Sequence, residues 1–130
     1  MAIDMMRYGP FGRHSWTVPF GSLDKLTARY WLRSFFDGDG DIHLSPKLSK
    51  SMVRAKSINK AGLRGVSRLL WDYFKIRGKI YVREKPIREN WSQAYEPNIF
   101  NKRNLSLYAR NIGFNHPEKR RKLLQIAALL

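Results

Sequence analysis

Apolar residues recur along this chain at two periods, and each change of period marks an element. Leu23, Leu26, Tyr30, Leu32, Phe35 and Phe36 fall within "LDKLTARYWLRSFFDG", a run with no proline and no interior glycine. It predicts a helix with Ser22 as N-cap, Asp24 in the first turn where the dipole favours a carboxylate, and an end at Gly38 or Gly40. "DIHLSPKL" then alternates Ile42 and Leu44 with His43 and Ser45, the period of a strand. A second strand is expected in "KSMVRAKSI", with Val53 and Ala55 on one face and Arg54 and Lys56 on the other. Asn59 can cap a second helix, whose apolar positions Leu63, Val66, Leu70, Tyr73 and Phe74 return at helical spacing. After Gly78, "KIYVRE" places Ile80 and Val82 inward and Lys79, Tyr81 and Arg83 outward. "KPIREN" is expected to turn, and "WSQAYEPNIF" to form a fourth strand that Pro97 makes irregular or confines to an edge. "NLSLYARNIGF" reads as a short helix stopped by Gly113, and Pro117 opens a last one.

The order helix, two strands, helix, two strands, helices predicts an α+β fold: a small antiparallel sheet covered on one face by helices. Residues 1–21 mix Gly, Pro and aromatics without a period and read as an N-terminal arm; residues 22–130 read as a single domain. The arm carries Arg7, Arg13, His14 and Trp16, which either extend a binding surface or pack on their own domain.

Charge changes the picture. With 25 Lys+Arg against 10 Asp+Glu, the formal net charge is +15. Self-repulsion of that size is best tolerated beside a polyanion, which makes nucleic acid the leading partner. A structural basic protein, such as a ribosomal component, would account for the charge equally well. No apolar run approaches the ~20 residues needed to span a bilayer, so no membrane partner is expected. The first residues have no basic region leading into an apolar one, and the absence of cysteine excludes disulfides and thiolate metal sites. The setting expected is intracellular: the cytoplasm of a prokaryote, or an organelle.

Against that basic background, "DGDGD" gathers Asp37, Asp39 and Asp41. An EF-hand loop starting at Asp37 needs Gly at its sixth position and Glu at its twelfth, where this chain has Ile42 and Leu48. Carboxylates at a helix C-terminus oppose the dipole, so a compensating cation is expected. A divalent ion that takes carboxylate and carbonyl oxygens fits, and glycine allows close backbone approach. On the helix itself, Lys25, Arg29 and Arg33 line one face that should be solvated, while Thr27, Trp31, Ser34 and Gly38 form a stripe of mostly small residues. Such a helix is either central to one core or packed against a second copy of itself.

"LRSFFDGDG", Leu32 to Gly40, resembles the motif that names the LAGLIDADG homing endonucleases. It keeps the D-x-D-G ending and departs at Arg33 and Ser34, where Ala and Gly are usual. "SINKAGLRGVSRLLWDYFKIRGKIYVRE" and "NIFNKRNLSLYARNIGFNHPEKRRKL" are similar to the family's later segments, so the likeness covers roughly residues 22–123. It implies an αββαββα subunit whose curved antiparallel four-stranded sheet forms a DNA-binding saddle in the major groove, with helices on the other face. A single motif implies a homodimer on a long pseudo-palindromic site, with Thr27, Trp31, Ser34, Asp37 and Gly38 at the dimer interface. By the same resemblance Asp39, with the Gly38 carbonyl, would hold a divalent metal (Mg²⁺), and Asn59, Lys60 and Lys102 would supply polar and basic groups at the catalytic centre. His43, Ser45, Lys47, Arg54, Lys56, Lys79, Tyr81, Arg83 and Gln93 would meet DNA. Arg110, Lys119, Arg120, Arg121 and Lys122 form a candidate phosphate clamp, whereas His14, His43 and His116 have no recognisable triad partner. The function implied is an intron-encoded, metal-dependent endonuclease that hydrolyses one phosphodiester per strand. The alternative is an inactive nucleic-acid-binding relative, an intron maturase with an intron RNA partner or a transcription regulator.

Overall fold

In the computed structural model, residues 16–82 and 93–130 are described. Arg7, Arg13, His14, Arg83 and the expected turn at 85–90 lie outside them. Helix α1 (Lys25–Asp39) begins two residues later than the sequence suggested. Ser22 closes a 3-10 turn, Phe20–Ser22, and Asp24 is the N-cap. The Asp24 carboxylate accepts the Thr27 N–H at 2.8 Å, while the Thr27 hydroxyl accepts the Asp24 N–H at 2.8 Å. This reciprocal box satisfies two amides, which a lone Ser22 could not do.

Strand β1 (Gly40–His43) and strand β2 (Met52–Ala55) are both shorter than the alternation implied. The buried Ser51 hydroxyl accepts the Ser45 N–H and donates to the Ser45 carbonyl, closing the connection early. Asn59 caps helix α2 (Lys60–Phe74) as expected, its side-chain oxygen accepting the Gly62 N–H at 3.0 Å. Strands β3 (Lys79–Val82) and β4 (Tyr95–Phe100) follow, then helix α3 (Lys102–Asn111) and helix α4 (Pro117–Ala127), which has its proline in the first turn.

The four strands form one antiparallel sheet in the order β1-β2-β4-β3, and the α+β class expected from the sequence holds. β4 is therefore an interior strand, not an edge. Its ladder with β2 runs from Met52–Phe100 to Arg54–Asn98, then breaks at Pro97 and returns only at Ser57–Tyr95. Proline has no N–H to offer, and the local break is how an interior strand accommodates it.

One apolar core joins the helices to one face of the sheet. Leu32, Phe35 and Phe36 of α1 meet Leu63, Leu69 and Leu70 of α2, Val53 and Ile99 of the sheet, and Leu105 and Tyr108 of α3. The described part of the arm belongs to this core: the Trp16 ring lies 5.6 Å from Phe35, and Val18 is buried. Two helical glycines make room for it. A Cβ at Gly62 would sit 2.7 Å from the Trp16 ring, and one at Gly65 would sit 2.9 Å from Val18. Val82, expected to face inward, is 64 % exposed, because it ends an edge strand where no described residue covers it. No helix among the described residues is long and apolar enough to cross a membrane.

Candidate active site

The C-terminus of α1 meets β1 at Gly40, whose N–H donates to the Phe36 carbonyl. A Cβ there would lie 2.4 Å from that carbonyl oxygen, so only glycine lets the chain turn this closely. Asp37 folds back, and its carboxylate accepts the N–H groups of Asn115 at 2.9 Å and His116 at 3.1 Å. It thereby ties the end of α1 to the start of α4. Lys119 returns from the first turn of α4, and its Nζ donates to the carbonyls of Asp37 at 2.7 Å and Phe36 at 3.4 Å. A cation of the chain itself thus answers the negative end of α1. Lys119 does not belong to a solvent-facing phosphate clamp, as the sequence suggested.

Asp39 stands apart from both. Its carboxylate is half-buried and accepts no hydrogen bond and forms no ion pair among the described residues. Burial pushes its pKa up to about 6, with the positive charge of Lys119 pulling in the opposite direction. At neutral pH Asp39 is therefore ionised but poorly solvated, the condition of a carboxylate suited to a cation. No group of three or more His, Cys, Asp or Glu that could hold a metal occurs among the described residues. Asp39 and the carbonyl of exposed Gly38 make a partial set of hard oxygen donors, of the kind Mg²⁺ takes when phosphate and water complete its sphere.

The other expected groups divide. Asn59 is buried and engaged at both ends of its amide: its oxygen caps α2, and its nitrogen donates to the Trp16 carbonyl. Both bonds hold the fold. Lys60 is exposed beside it, with Nζ 5.1 Å from the centre of the Tyr95 ring. Because Gly40 pairs with Ala55, Lys60 lies beyond the same end of the sheet as Asp39. Lys102 does not. β4 runs antiparallel to β2, so its end at Phe100 lines up with Met52 and His43, and Lys102 follows at the far end.

On the sheet face turned from the helices, pairing sets Asp41, Arg54, Asn98 and Lys79 in one row across the four strands. His43 and Tyr81 share that face. Arg54 is partly spent, since its Nη2 is 3.1 Å from Asp41 Oδ2. Burial works against ionisation of Asp41, but the Arg54 hydrogen bond, the Ile42 amide and the charges of Arg54 and Lys122 outweigh it and hold the pKa low. Lys79 Nζ lies 5.2 Å from the centre of the Tyr81 ring. Ser45 and Lys47 sit in the β1–β2 connection, Lys56 past the end of β2, and Gln93 ahead of β4 with its amide donating to the Ala94 carbonyl.

The exposed stripe of α1 is rotated from the expected one. Trp31 is 8 % exposed and stacks on Phe35 with ring centres 6.0 Å apart, so it serves its own core. Leu26 and Tyr30, 55 % and 54 % exposed, are the large apolar residues left uncovered, beside Thr27, Ser34 and Gly38. Arg33, expected in solvent, donates from Nε to the Ile112 carbonyl at 2.7 Å. Sequence reasoning missed the inward role of Lys119, although one signal was present: a lysine in a helix's first turn opposes the dipole unless another element needs it.

A family model described as a LAGLIDADG-like domain matches residues 27–113. Over 102 residues the chain is 33 % identical to a Methanocaldococcus jannaschii protein named "Probable translation initiation factor IF-2", covering 78 % of this chain and 8 % of that protein. The chain thus spans under a tenth of the length of this relative. No solved structure gives a match.

Proposed function

The chain belongs to the LAGLIDADG-like domain family, and from that premise we propose that it is a site-specific, intron-encoded endonuclease acting on double-stranded DNA as a homodimer. The observation that carries this reading is Asp39: a half-buried carboxylate, ionised at neutral pH, with no hydrogen bond or ion pair among the described residues. A residue kept only for the fold would be expected to have one, as Asp37 does.

Asp39 and the Gly38 carbonyl would hold a divalent ion. When bound, Mg²⁺ supplies Lewis acidity at the scissile phosphate and an acidified water. Lys119 keeps the end of α1 in place through two carbonyls, so the Asp39 side chain is presented from a fixed backbone. Lys60, at the same end of the sheet, would offset charge on the phosphate. Lys79, His43 and Tyr81 would face the major groove, with Arg54 available once DNA competes with Asp41. Leu26 and Tyr30, flanked by Thr27, Ser34 and Gly38, form the surface on which the second copy would pack, bringing the two Asp39 residues to the two strands. The inactive maturase or regulator is the weaker reading, because loss of the chemistry would remove the reason to keep an uncompensated Asp39.

Incubating the protein with a long DNA library and Mg²⁺ tests the proposal. Cleavage by the wild type and none by Asp39→Asn supports it; binding without cleavage by either protein overturns the enzyme claim. Sedimentation that shows only monomer on DNA overturns the dimer independently. Tyr30→Asp should give the same monomer if this stripe is the interface.

A further inference from the structure

We propose that a cleft in the helical layer, walled by Arg33, Arg110 and Arg120, binds a small phosphate-bearing anion. The cleft is about 300 Å³ and lies between α1, the end of α3 and the first turns of α4. Ile112, Phe114 and Leu123 supply apolar lining, and no carboxylate is among the lining residues. Its volume is at the lower end for small-molecule sites, enough for a phosphate with one ring attached.

The three guanidiniums differ in how they are held. Arg33 is fixed in advance: its Nε donates to the Ile112 carbonyl, and its guanidinium lies 5.5 Å from the centre of the Tyr30 ring. Only one nitrogen is used in that bond, so the planar fork keeps its terminal donors. Arg110 makes one long contact, 3.5 Å, to the Ser106 hydroxyl. The Arg120 guanidinium has no hydrogen bond or ion pair among the described residues. By contrast Arg121, one residue on, is paired with Glu118. Three arginines lining one cleft without an anion repel each other, and a phosphate has enough acceptor oxygens to take paired donors from more than one guanidinium, which a two-oxygen carboxylate does not. DNA on the sheet would not fill this site, because the cleft is formed by helices. Arg33 is also a departure from the motif, where alanine is usual, so nothing in the cleavage reading requires it.

Isothermal titration of the full chain with AMP, with inorganic pyrophosphate and with adenosine, in about 0.15 M salt to screen diffuse attraction, tests this. Saturable binding of one AMP or pyrophosphate per chain is expected, weakened by roughly tenfold or more in Arg120→Ala and in Arg33→Ala, and unchanged in Lys50→Ala, at an exposed lysine in the β1–β2 connection. Absence of saturable binding overturns the proposal. So does equal weakening by Lys50→Ala, which would reduce the effect to net charge, or adenosine binding as tightly as AMP. Should Arg33→Ala fail to fold through loss of its carbonyl bond, Arg120→Ala decides alone, because that side chain makes no hydrogen bond or ion pair among the described residues.

Discussion

Asp39 and Asn59 stand at the same end of the sheet, one ending α1 and the other opening α2, and they have opposite fates. Both are polar, both are withdrawn from solvent, and both were candidates for chemistry. Asn59 spends its acceptor on the Gly62 amide and its donor on the Trp16 carbonyl. Asp39 has no such bond among the described residues. The comparison shows that a buried polar group is informative by what it leaves unsatisfied, since burial without a partner costs free energy that the fold does not recover.

The largest test of that contrast is catalytic. Asp39→Asn should lower DNA cleavage by on the order of 10²- to 10³-fold, the range for losing one group that acts on the transition state. Asn59→Ala should leave the rate per folded molecule near wild type. A rate collapse in a folded Asn59→Ala protein would break the comparison.

Stability should rank the other way. Asn59→Ala removes a helix cap and a hydrogen bond to a backbone carbonyl, a loss of about 2 kcal/mol in chemical denaturation. Lys119→Met frees the carbonyls of Phe36 and Asp37 at the negative end of α1, at a cost of about 1–2 kcal/mol. If Lys119→Met unfolds at the same denaturant concentration as wild type, the cation is not what closes that helix.

The smallest effect sharpens the comparison by its sign. Asp39 has a folded pKa of about 6, above its ordinary value of 3.8, so its ionised form is the disfavoured one in the fold. This contribution opposes folding increasingly as pH rises from about 4 to 6, and fully above that. A shift of two units would amount to about 3 kcal/mol at full value, which solvent screening of a half-exposed group reduces to ~1 kcal/mol. Asp39→Asn should therefore raise Tm by roughly 4 °C at pH 7 and by nearly nothing at pH 4. A variant less stable than wild type at pH 7 would show that Asp39 has a stabilising partner after all.

Much of this was legible in the residues, and the errors are instructive. The α1 run, the Asn59 cap and the Pro117 start depend on neighbours within a turn, and local rules are enough to place them. Ser22 lost to Asp24 because Thr27 could complete a reciprocal box, a competition the single-residue preference does not resolve. Pro97 was read as a choice between irregular and edge; strand order made it irregular, and strand order is not a local property. Trp31 lay on a stripe that looked suited to a second helix, but Trp16 and Phe35 fill that side, and Trp16 comes from fifteen positions earlier in the chain. Lys102 followed the correct strand but lies at the wrong end, because the direction of β4 against β2 decides which terminus approaches Asp39.

Composition and neighbours along the chain were enough for the α+β order, the basic charge and the D-x-D-G ending. Only the tertiary structure decided which polar groups were used up. Asp37 went to the amides that open α4, Asp41 to Arg54, Asn59 to Gly62 and Trp16, and Lys119 to the carbonyls of α1. Those partners lie up to about eighty positions away, and a hydrogen bond between them exists only once the core has brought the elements together. Asp39 was left without a hydrogen bond among the described residues, and that could be seen only once those pairs were in place.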